Sequence, residues 1–257
     1  MLMVIDVGNT NIVVGVHNGK KWVASWRLSS SRSRTSDEFG IVLGNMFSYS
    51  GVDMSKITDI IMSTVVPPLL VPLTNMCKRY FHIDPFVVSA RIKTGLILHY
   101  DNPNELGADR IVNAVAALAK YKDKGNLIVI DFGTATTFCA IKPNGEYLGG
   151  AIAPGIGIST EALFQHAAKL PRIELIRPKK TICLNTIEAM QAGILLGFVG
   201  QMDGLIDRMK KELDGQAFVI ATGGFGHLMA SESDHVDVVE PFLTLDGLKL
   251  LHEMNKK

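Results

Sequence analysis

The sequence predicts an α/β protein built from two related halves. An apolar run ends in Asp-x-Gly near residue 6 and again near residue 131, and each is followed by a second apolar run and an Asn-Gly pair. Strand-like and helix-like segments alternate along the rest of the chain. An ordered pattern that recurs indicates a duplicated structural unit, and alternating strands and helices are typical of α/β proteins.

The first repeat opens the chain. Residues 1–5 are apolar, and Asp6-x-Gly predicts a tight turn into a second strand over residues 12–16. Asn18-Gly19 then predicts a hairpin turn into a third strand over residues 22–26, because both residue types tolerate positive φ.

The second repeat has the same order. Asn126 and the apolar residues 127–130 lead into Asp131-Phe132-Gly133-Thr134, and a second strand is predicted over residues 138–141. Asn144-Gly145 predicts the next hairpin turn, with a third strand at residues 147–148.

The remaining elements complete the α/β pattern. Strands are predicted at residues 58–66, 86–88 and 218–220, and helices at residues 109–121 and 186–209. We place the domain boundary between the repeats, which predicts an N-terminal domain over 1–120 and a C-terminal domain over 121–257.

Composition restricts the partners. The chain has 257 residues and a formal net charge of +1, which does not favour nucleic acid or an anionic membrane. Cys77, Cys139 and Cys183 lie far apart, so a disulfide framework or zinc site is not expected and a reducing cytoplasm fits best. The apolar run 192–200 is too short to span a bilayer, and the histidines show no metal-ligand spacing.

An acid at the end of each first strand indicates phosphate chemistry. Glycine allows a close backbone approach, and the amides of such a turn can surround phosphate oxygens. A carboxylate there can hold Mg²⁺, which keeps several waters and takes few protein ligands. Two facing turns of this kind predict a phosphoryl-transfer site, although Asp6 and Asp131 could also serve as turn residues that cap strands.

Other nucleotide-binding motifs do not match. The chain contains no G-x-x-x-x-G-K-[ST] sequence. Residues 155–160 depart from G-x-G-x-x-G at the third glycine. Residues 131–133 read D-F-G but lack the upstream catalytic loop of protein kinases.

Four motifs in order carry a family resemblance: Asp6–Thr10, Gly107–Arg110, Asp131–Thr136 and Asn185–Gly193. With them the chain resembles the type III pantothenate kinases of the acetate and sugar kinase, heat-shock protein and actin superfamily. The resemblance implies two duplicated ribonuclease-H-like (actin-like ATPase) domains with a nucleotide cleft between them. It also implies ATP-dependent phosphorylation of pantothenate, the first step of coenzyme A biosynthesis, in a cytoplasmic homodimer whose substrate site lies near the dimer interface.

The resemblance assigns roles to individual residues. Asp109 would be the general base, Asp131 would bind potassium or ammonium, and Asp6 is the candidate for Mg²⁺ of Mg-ATP. The implied ATP-binding residues are Asp6, Val7, Gly8, Asn9, Thr10, Asn11, Ile12, Val13 and Thr134. The implied pantothenate-binding residues are Tyr100, Gly107, Ala108, Asp109, Arg110 and Thr186.

Alternatives stay open at several of these positions. Arg110 could clamp the substrate carboxylate or pair with a nearby acid. Tyr100 could be a half-buried core residue. The glycine-rich helix after Asn185 could pack in a core or at a dimer interface. Thr222–Gly224 could approach adenosine or form a simple turn. The alternative functions are another small-molecule kinase of the superfamily, or a non-catalytic nucleotide-binding regulator.

Overall fold

Two sheets with helices packed on them organise the chain in the computed structural model, which describes residues 1–89 and 92–256. In this part of the chain the strands are β1 (Leu2–Val7), β2 (Asn11–His17), β3 (Trp22–Ser29), β4 (Asp59–Thr64), β5 (Phe86–Val87), β6 (Ile97–Leu98), β7 (Leu127–Phe132), β8 (Ala135–Ile141), β9 (Glu146–Pro154), β10 (Phe218–Gly223) and β11 (Val238–Val239). The α-helices are α1 (Ser36–Tyr49), α2 (Pro67–Met76), α3 (Ala108–Tyr121), α4 (Ile156–His166), α5 (Thr186–Glu212), α6 (Gly226–Ala230) and α7 (Leu243–Asn255).

The chain forms two compact units that are not continuous in sequence. Unit 1 comprises Met1–Gly95, Asp101–Ala116 and Leu243–Lys257, and unit 2 comprises Leu96–Tyr100 and Ala117–Phe242. Residues 243–257 therefore belong to unit 1, although they lie after the boundary that the repeat predicts at 120/121.

Unit 1 is built on a five-stranded mixed sheet in the order β3-β2-β1-β4-β5. The central strand β1 runs antiparallel to β2 and parallel to β4. One face of the sheet packs on α1 and α2 through an apolar core that includes Phe39, Leu43 and Leu69. Helix α7 packs against β1 and β4.

Unit 2 repeats this order and adds one edge strand. Its sheet runs β11-β10-β7-β8-β9-β6, so β9-β8-β7-β10-β11 matches β3-β2-β1-β4-β5 strand for strand. The predicted duplication of the strands is thus confirmed, and the sixth strand β6 pairs in parallel with β9. The Asn-Gly turns are confirmed as well, because Gly19 and Gly145 have φ of +93° and +90°.

Helix α5 is the longest helix of the described residues, at 27 residues. Its N-terminus is capped by the side chain of Asn185, whose Oδ1 accepts a hydrogen bond from Glu188 N at 2.9 Å. Its length and apolar composition would allow it to cross a membrane, but buried core helices have the same length and composition. One face, with Leu195 and Met202, lies in the core of unit 2, and the other exposes the four glycines Gly193, Gly197, Gly200 and Gly204.

The cysteines agree with the prediction of separate thiols. None of the three, all of which lie in the described part of the chain, forms a disulfide, and Cys77 and Cys139 are buried. Burial raises the pKa of the Cys77 thiol to about 12, so this side chain behaves as a small apolar residue.

Candidate active site

The first Asp-x-Gly turn is a four-residue loop. The antiparallel register of β1 and β2 pairs Asp6 with Val13 and Val7 with Ile12, which leaves residues 8–11 in the loop. Gly8 N donates a hydrogen bond to Asn11 O at 3.0 Å and closes the loop. Asn9 and Thr10 are exposed at its tip, and Asp6 is half-buried at its base.

Ser30, the residue after β3, holds this loop from one side. Its backbone N donates to Thr10 O at 3.0 Å, and its Oγ donates to Gly8 O at 2.5 Å. Two loop carbonyl oxygens therefore already accept hydrogen bonds from the protein, which reduces the repulsion that they would exert on a bound anion. Sequence reasoning could not identify this role of Ser30, because a contact between positions 22 residues apart leaves no local pattern.

The second turn is one residue shorter. Here Asp131 pairs with Thr137 and Phe132 with Thr136, so the loop contains only residues 133–135. Gly133 N donates to Ala135 O at 3.1 Å. The two turns thus share the sequence pattern Asp-x-Gly but differ in loop length.

Gly155 occupies the place in unit 2 that Ser30 has in unit 1, directly after the third strand. Its backbone N donates to Thr134 O at 3.1 Å. A Cβ at this position would lie 2.3 Å from the same oxygen, so only glycine fits. Thr134 is thereby held half-buried in the turn.

Gly223, at the end of β10, packs against the carboxylate of Asp131. Its φ is +88°, and a Cβ there would lie 2.5 Å from Asp131 Oδ1. The sequence left Thr222–Gly224 open between an adenosine contact and a simple turn. The geometry gives Gly223 a packing role beside Asp131.

Asp109 lies in the first turn of α3, with its side chain folded back over the backbone. Arg110 N donates to Asp109 Oδ1 at 2.8 Å and also to Gly107 O at 3.1 Å. Burial raises the pKa of Asp109, while the Arg110 N–H and the Arg110 charge act in the opposite direction. A carboxylate with a raised pKa accepts a proton more readily than an ordinary one.

Arg110 is itself only 5% exposed. A buried guanidinium is accommodated by ionic and hydrogen-bonding partners. The charge of Arg110 acts to lower the pKa of Asp109, so the guanidinium interacts electrostatically with this acid.

The two remaining predicted substrate residues lie in unit 2. Tyr100 is half-buried, with its ring centroid 6.4 Å from that of Tyr147. Thr186 begins α5 and lines a cavity of about 530 Å³. The other lining residues are almost all apolar: Leu163, Leu170, Ala189, Met190, Gly193 and Ile194.

The donor chemistry at Asp6 suits Mg²⁺. Magnesium commonly binds one or two carboxylates together with phosphate oxygens and waters, and Asp6 offers one carboxylate beside a loop of exposed polar residues. Among the described residues, no group of three or more His, Cys, Asp or Glu side chains could hold a metal ion.

The predicted residues thus divide between the units. Unit 1 holds the loop from Asp6 to Val13 and the segment Gly107–Arg110, whereas unit 2 holds Tyr100, Asp131, Thr134 and Thr186. Sequence reasoning missed the supporting residues Ser30 and Gly155, and it missed Ser63, whose Oγ donates to Asp6 Oδ1 at 2.6 Å.

Comparison with known proteins identifies one family. The family model for type III pantothenate kinase matches residues 2–208. A type III pantothenate kinase of Geobacillus kaustophilus is 56% identical over 255 residues, covering 99% of this chain and 98% of that protein. One of Exiguobacterium sibiricum is 53% identical over 256 residues, covering all of both chains.

Solved structures share the fold at low identity. A Baf family protein of Campylobacter jejuni, described as a transcriptional activator, superposes with a TM-score of 0.58 at 18% identity over 98% of each chain. The ethanolamine utilization protein EutJ of Carboxydothermus hydrogenoformans gives 0.56 at 15% identity, over 97% of this chain and 89% of that one. These similarities show that the chain shares its α/β fold with mixed sheets with both of these proteins.

Proposed function

Because the chain belongs to the type III pantothenate kinase family, we propose that it phosphorylates pantothenate with ATP and that Asp109 is the general base. The product is phosphopantothenate, the first intermediate on the way to coenzyme A. The observation that carries the proposal is the half-buried Asp109 carboxylate, which is held at the start of α3 by the hydrogen bond from Arg110 N and whose pKa is raised by desolvation.

In the proposed reaction, Asp109 accepts the proton of the primary hydroxyl of pantothenate. The hydroxyl oxygen forms a bond to the γ-phosphorus of ATP, the bond from that phosphorus to the bridging oxygen breaks, and ADP leaves. The transition state of phosphoryl transfer is loose, so orientation of the hydroxyl contributes as much as its deprotonation. The hydrogen bond from Arg110 N fixes the Asp109 side chain for this purpose.

Phosphate binding is assigned to the two Asp-x-Gly turns. The first turn, Asp6–Val13, presents exposed Asn9 and Thr10, and Thr134 is the contact from the second. Ser30 and Gly155 support the proposal, because they engage loop carbonyls that would otherwise repel a phosphate.

Two cations are part of the proposal. Asp6 would hold the Mg²⁺ of Mg-ATP, which neutralises charge on the phosphates. Asp131 would hold a monovalent cation, potassium or ammonium; its carboxylate oxygen is a suitable ligand for a hard cation.

Pantothenate binding is assigned to Tyr100, Gly107–Arg110 and Thr186. An apolar gem-dimethyl group and a polar amide suit an aromatic ring with a hydroxyl, such as Tyr100. The cavity that Thr186 lines is almost wholly apolar, which suits the gem-dimethyl group and supports the assignment of Thr186.

We further propose that the enzyme is a cytoplasmic homodimer whose subunits meet along α5. The four glycines of α5 lie on one exposed face, and a Cβ at any of them would touch nothing within 4 Å. Ile182, Leu184 and Ile187, near the start of α5, are 86%, 98% and 50% exposed. An uncharged face of small residues is self-complementary, as a two-fold interface requires.

An ADP-release assay with Mg-ATP and potassium tests the function. ADP release should require pantothenate and should not occur with a panel of sugars and short carboxylic acids. Release with one of those acceptors instead would point to another kinase of the superfamily. ATP binding without release for any acceptor would favour a non-catalytic regulator.

A further inference from the structure

Ser63 is a buried hydroxyl at the end of an apolar strand. It follows Ile60, Ile61 and Met62 in β4 and is 1% exposed. A hydroxyl removed from water needs a hydrogen-bond partner. The partner of Ser63 is Asp6, whose Oδ1 accepts a hydrogen bond from Ser63 Oγ at 2.6 Å.

The sheet fixes this contact. Strands β1 and β4 are parallel, and their register places Asp6 opposite Ser63 and Val7 opposite Thr64. Residues that pair across parallel strands point to the same face. The pairing of two central strands therefore places the two side chains within hydrogen-bonding reach of each other.

Unit 2 has the equivalent strand register, but the hydroxyl at the equivalent position has a different hydrogen-bond partner. Strands β7 and β10 place Asp131 opposite Thr222. Thr222 is 2% exposed, and its Oγ1 donates its proton to Glu240 O at 2.7 Å. A hydroxyl at this position does not have to bind the acid, so the bond from Ser63 to Asp6 is a distinct feature of unit 1.

We propose that Ser63 is a positioning residue that orients the carboxylate of Asp6 for the divalent cation of the bound nucleotide. This inference rests on the proposed function, because it takes Asp6 as the residue that holds Mg²⁺. Carboxylates that bind metals are themselves held by hydrogen bonds, and loss of such an outer partner weakens metal affinity about 10- to 100-fold. Without Ser63 Oγ, the carboxylate would lose the hydrogen bond that holds Oδ1 in its present position.

The test is direct binding of a spectroscopic metal to the full chain. Mn²⁺ is titrated into enzyme with ADP and followed by electron paramagnetic resonance, and ADP alone is titrated in EDTA by calorimetry. Ser63→Ala should weaken Mn²⁺–ADP binding about tenfold and leave metal-free ADP binding unchanged. Ser63→Thr should retain Mn²⁺ affinity, because it keeps a hydroxyl donor at the position opposite Asp6.

Thr222→Val is the matched control. It removes the equivalent buried hydroxyl in the other unit, so Mn²⁺–ADP affinity should stay at the wild-type value. If Ser63→Ala does not fold, Ser63→Cys keeps the volume and replaces the hydroxyl with a weak donor, and the same loss is expected.

The outcomes distinguish failure of the positioning role of Ser63 from failure of the proposed function. A folded Ser63→Ala with wild-type Mn²⁺–ADP affinity overturns the positioning role. Equal losses with metal and in EDTA overturn it too, because Ser63 would then support the loop rather than the carboxylate. Failure of the proposed function would appear elsewhere, as wild-type enzyme without pantothenate-dependent ADP release.

Discussion

Gly107 leaves the space that the carboxylate of Asp109 occupies. A Cβ at position 107 would lie 2.5 Å from Asp109 Oδ1. The glycine therefore lets the acid fold back onto Arg110 N at the start of α3. The side-chain position of Asp109 follows from the absence of a side chain two residues earlier.

Asp109→Asn should abolish most turnover and leave the fold intact. Asparagine keeps the shape and can still accept from Arg110 N, but it cannot take the hydroxyl proton. We expect kcat to fall about 10²- to 10⁴-fold, the usual contribution of a general base. Steady-state kinetics and a thermal melt check this, with Asp101→Asn as the control because it removes an exposed carboxylate from the same segment. Wild-type kcat in Asp109→Asn would remove the residue from the base role.

The pH profile should report the raised pKa of Asp109. The base must be ionised, so kcat/KM should fall on the acid side with an apparent pKa above the ordinary carboxylate value of about 4. The folded state also binds this proton more tightly than the unfolded chain. Stability relative to Asp109→Asn should therefore decrease as pH rises from that ordinary value through the folded pKa, and stay constant above it. An acid limb at the ordinary value would contradict the assignment.

Gly223→Ala and Gly125→Ala should differ, although both glycines have positive φ. Gly125 has φ of +92° with no atom within 4 Å of the place that a Cβ would take, whereas at Gly223 the added methyl would meet Asp131 Oδ1 at 2.5 Å. Gly125→Ala should cost about 1 to 3 kcal/mol from backbone strain, because its φ of +92° with ψ of −144° lies near a region that essentially only glycine adopts. Gly223→Ala should cost about 1 to 3 kcal/mol more from overpacking and should raise the potassium concentration needed for half-maximal activity. Denaturant melts measure the loss of stability in each variant, and a potassium titration measures the change in the half-maximal concentration. Equal losses of stability would argue against close packing at Gly223.

Gly197→Leu should separate the subunits of the proposed dimer. A leucine on the exposed glycine face of α5 would prevent close approach of a second helix. The dissociation constant should rise about 10- to 100-fold, since overpacking costs about 1 to 3 kcal/mol. Sedimentation velocity at several concentrations measures this. Gly44→Leu in α1 is the control, because that glycine also has open space around it. A Gly197→Leu dimer as tight as wild type would place the interface elsewhere.

Local patterns predicted much of the fold. Asn18-Gly19 and Asn144-Gly145 specify hairpin turns by their own backbone preferences, so the duplicated strand–turn–strand pattern could be read directly. The helix predicted at 186–209 is found as Thr186–Glu212. Its start was recognisable because Glu188 lies in the first turn.

The rest depends on contacts between distant residues. Ser63 reaches Asp6 only because two strands pair in one register, and a buried serine at the end of an apolar strand gives only a weak signal. Strand β6 has two residues and is defined by its pairing with β9, so no periodicity could mark it. The roles assigned to Asp109, Asp131 and Thr186 came from family resemblance and stay predictions.

The position of α7 in unit 1 affects how the nascent chain folds while it is made on the ribosome. Leu245, Leu248 and Leu251 are buried, and Asp246 accepts a hydrogen bond from Trp22 Nε1 at 2.9 Å. Helix α7 covers strands β1 and β4, yet the ribosome makes it only after the whole 117–242 segment. Until then the nascent chain lacks the helix that covers this apolar sheet surface, and exposed apolar surface of this kind promotes aggregation.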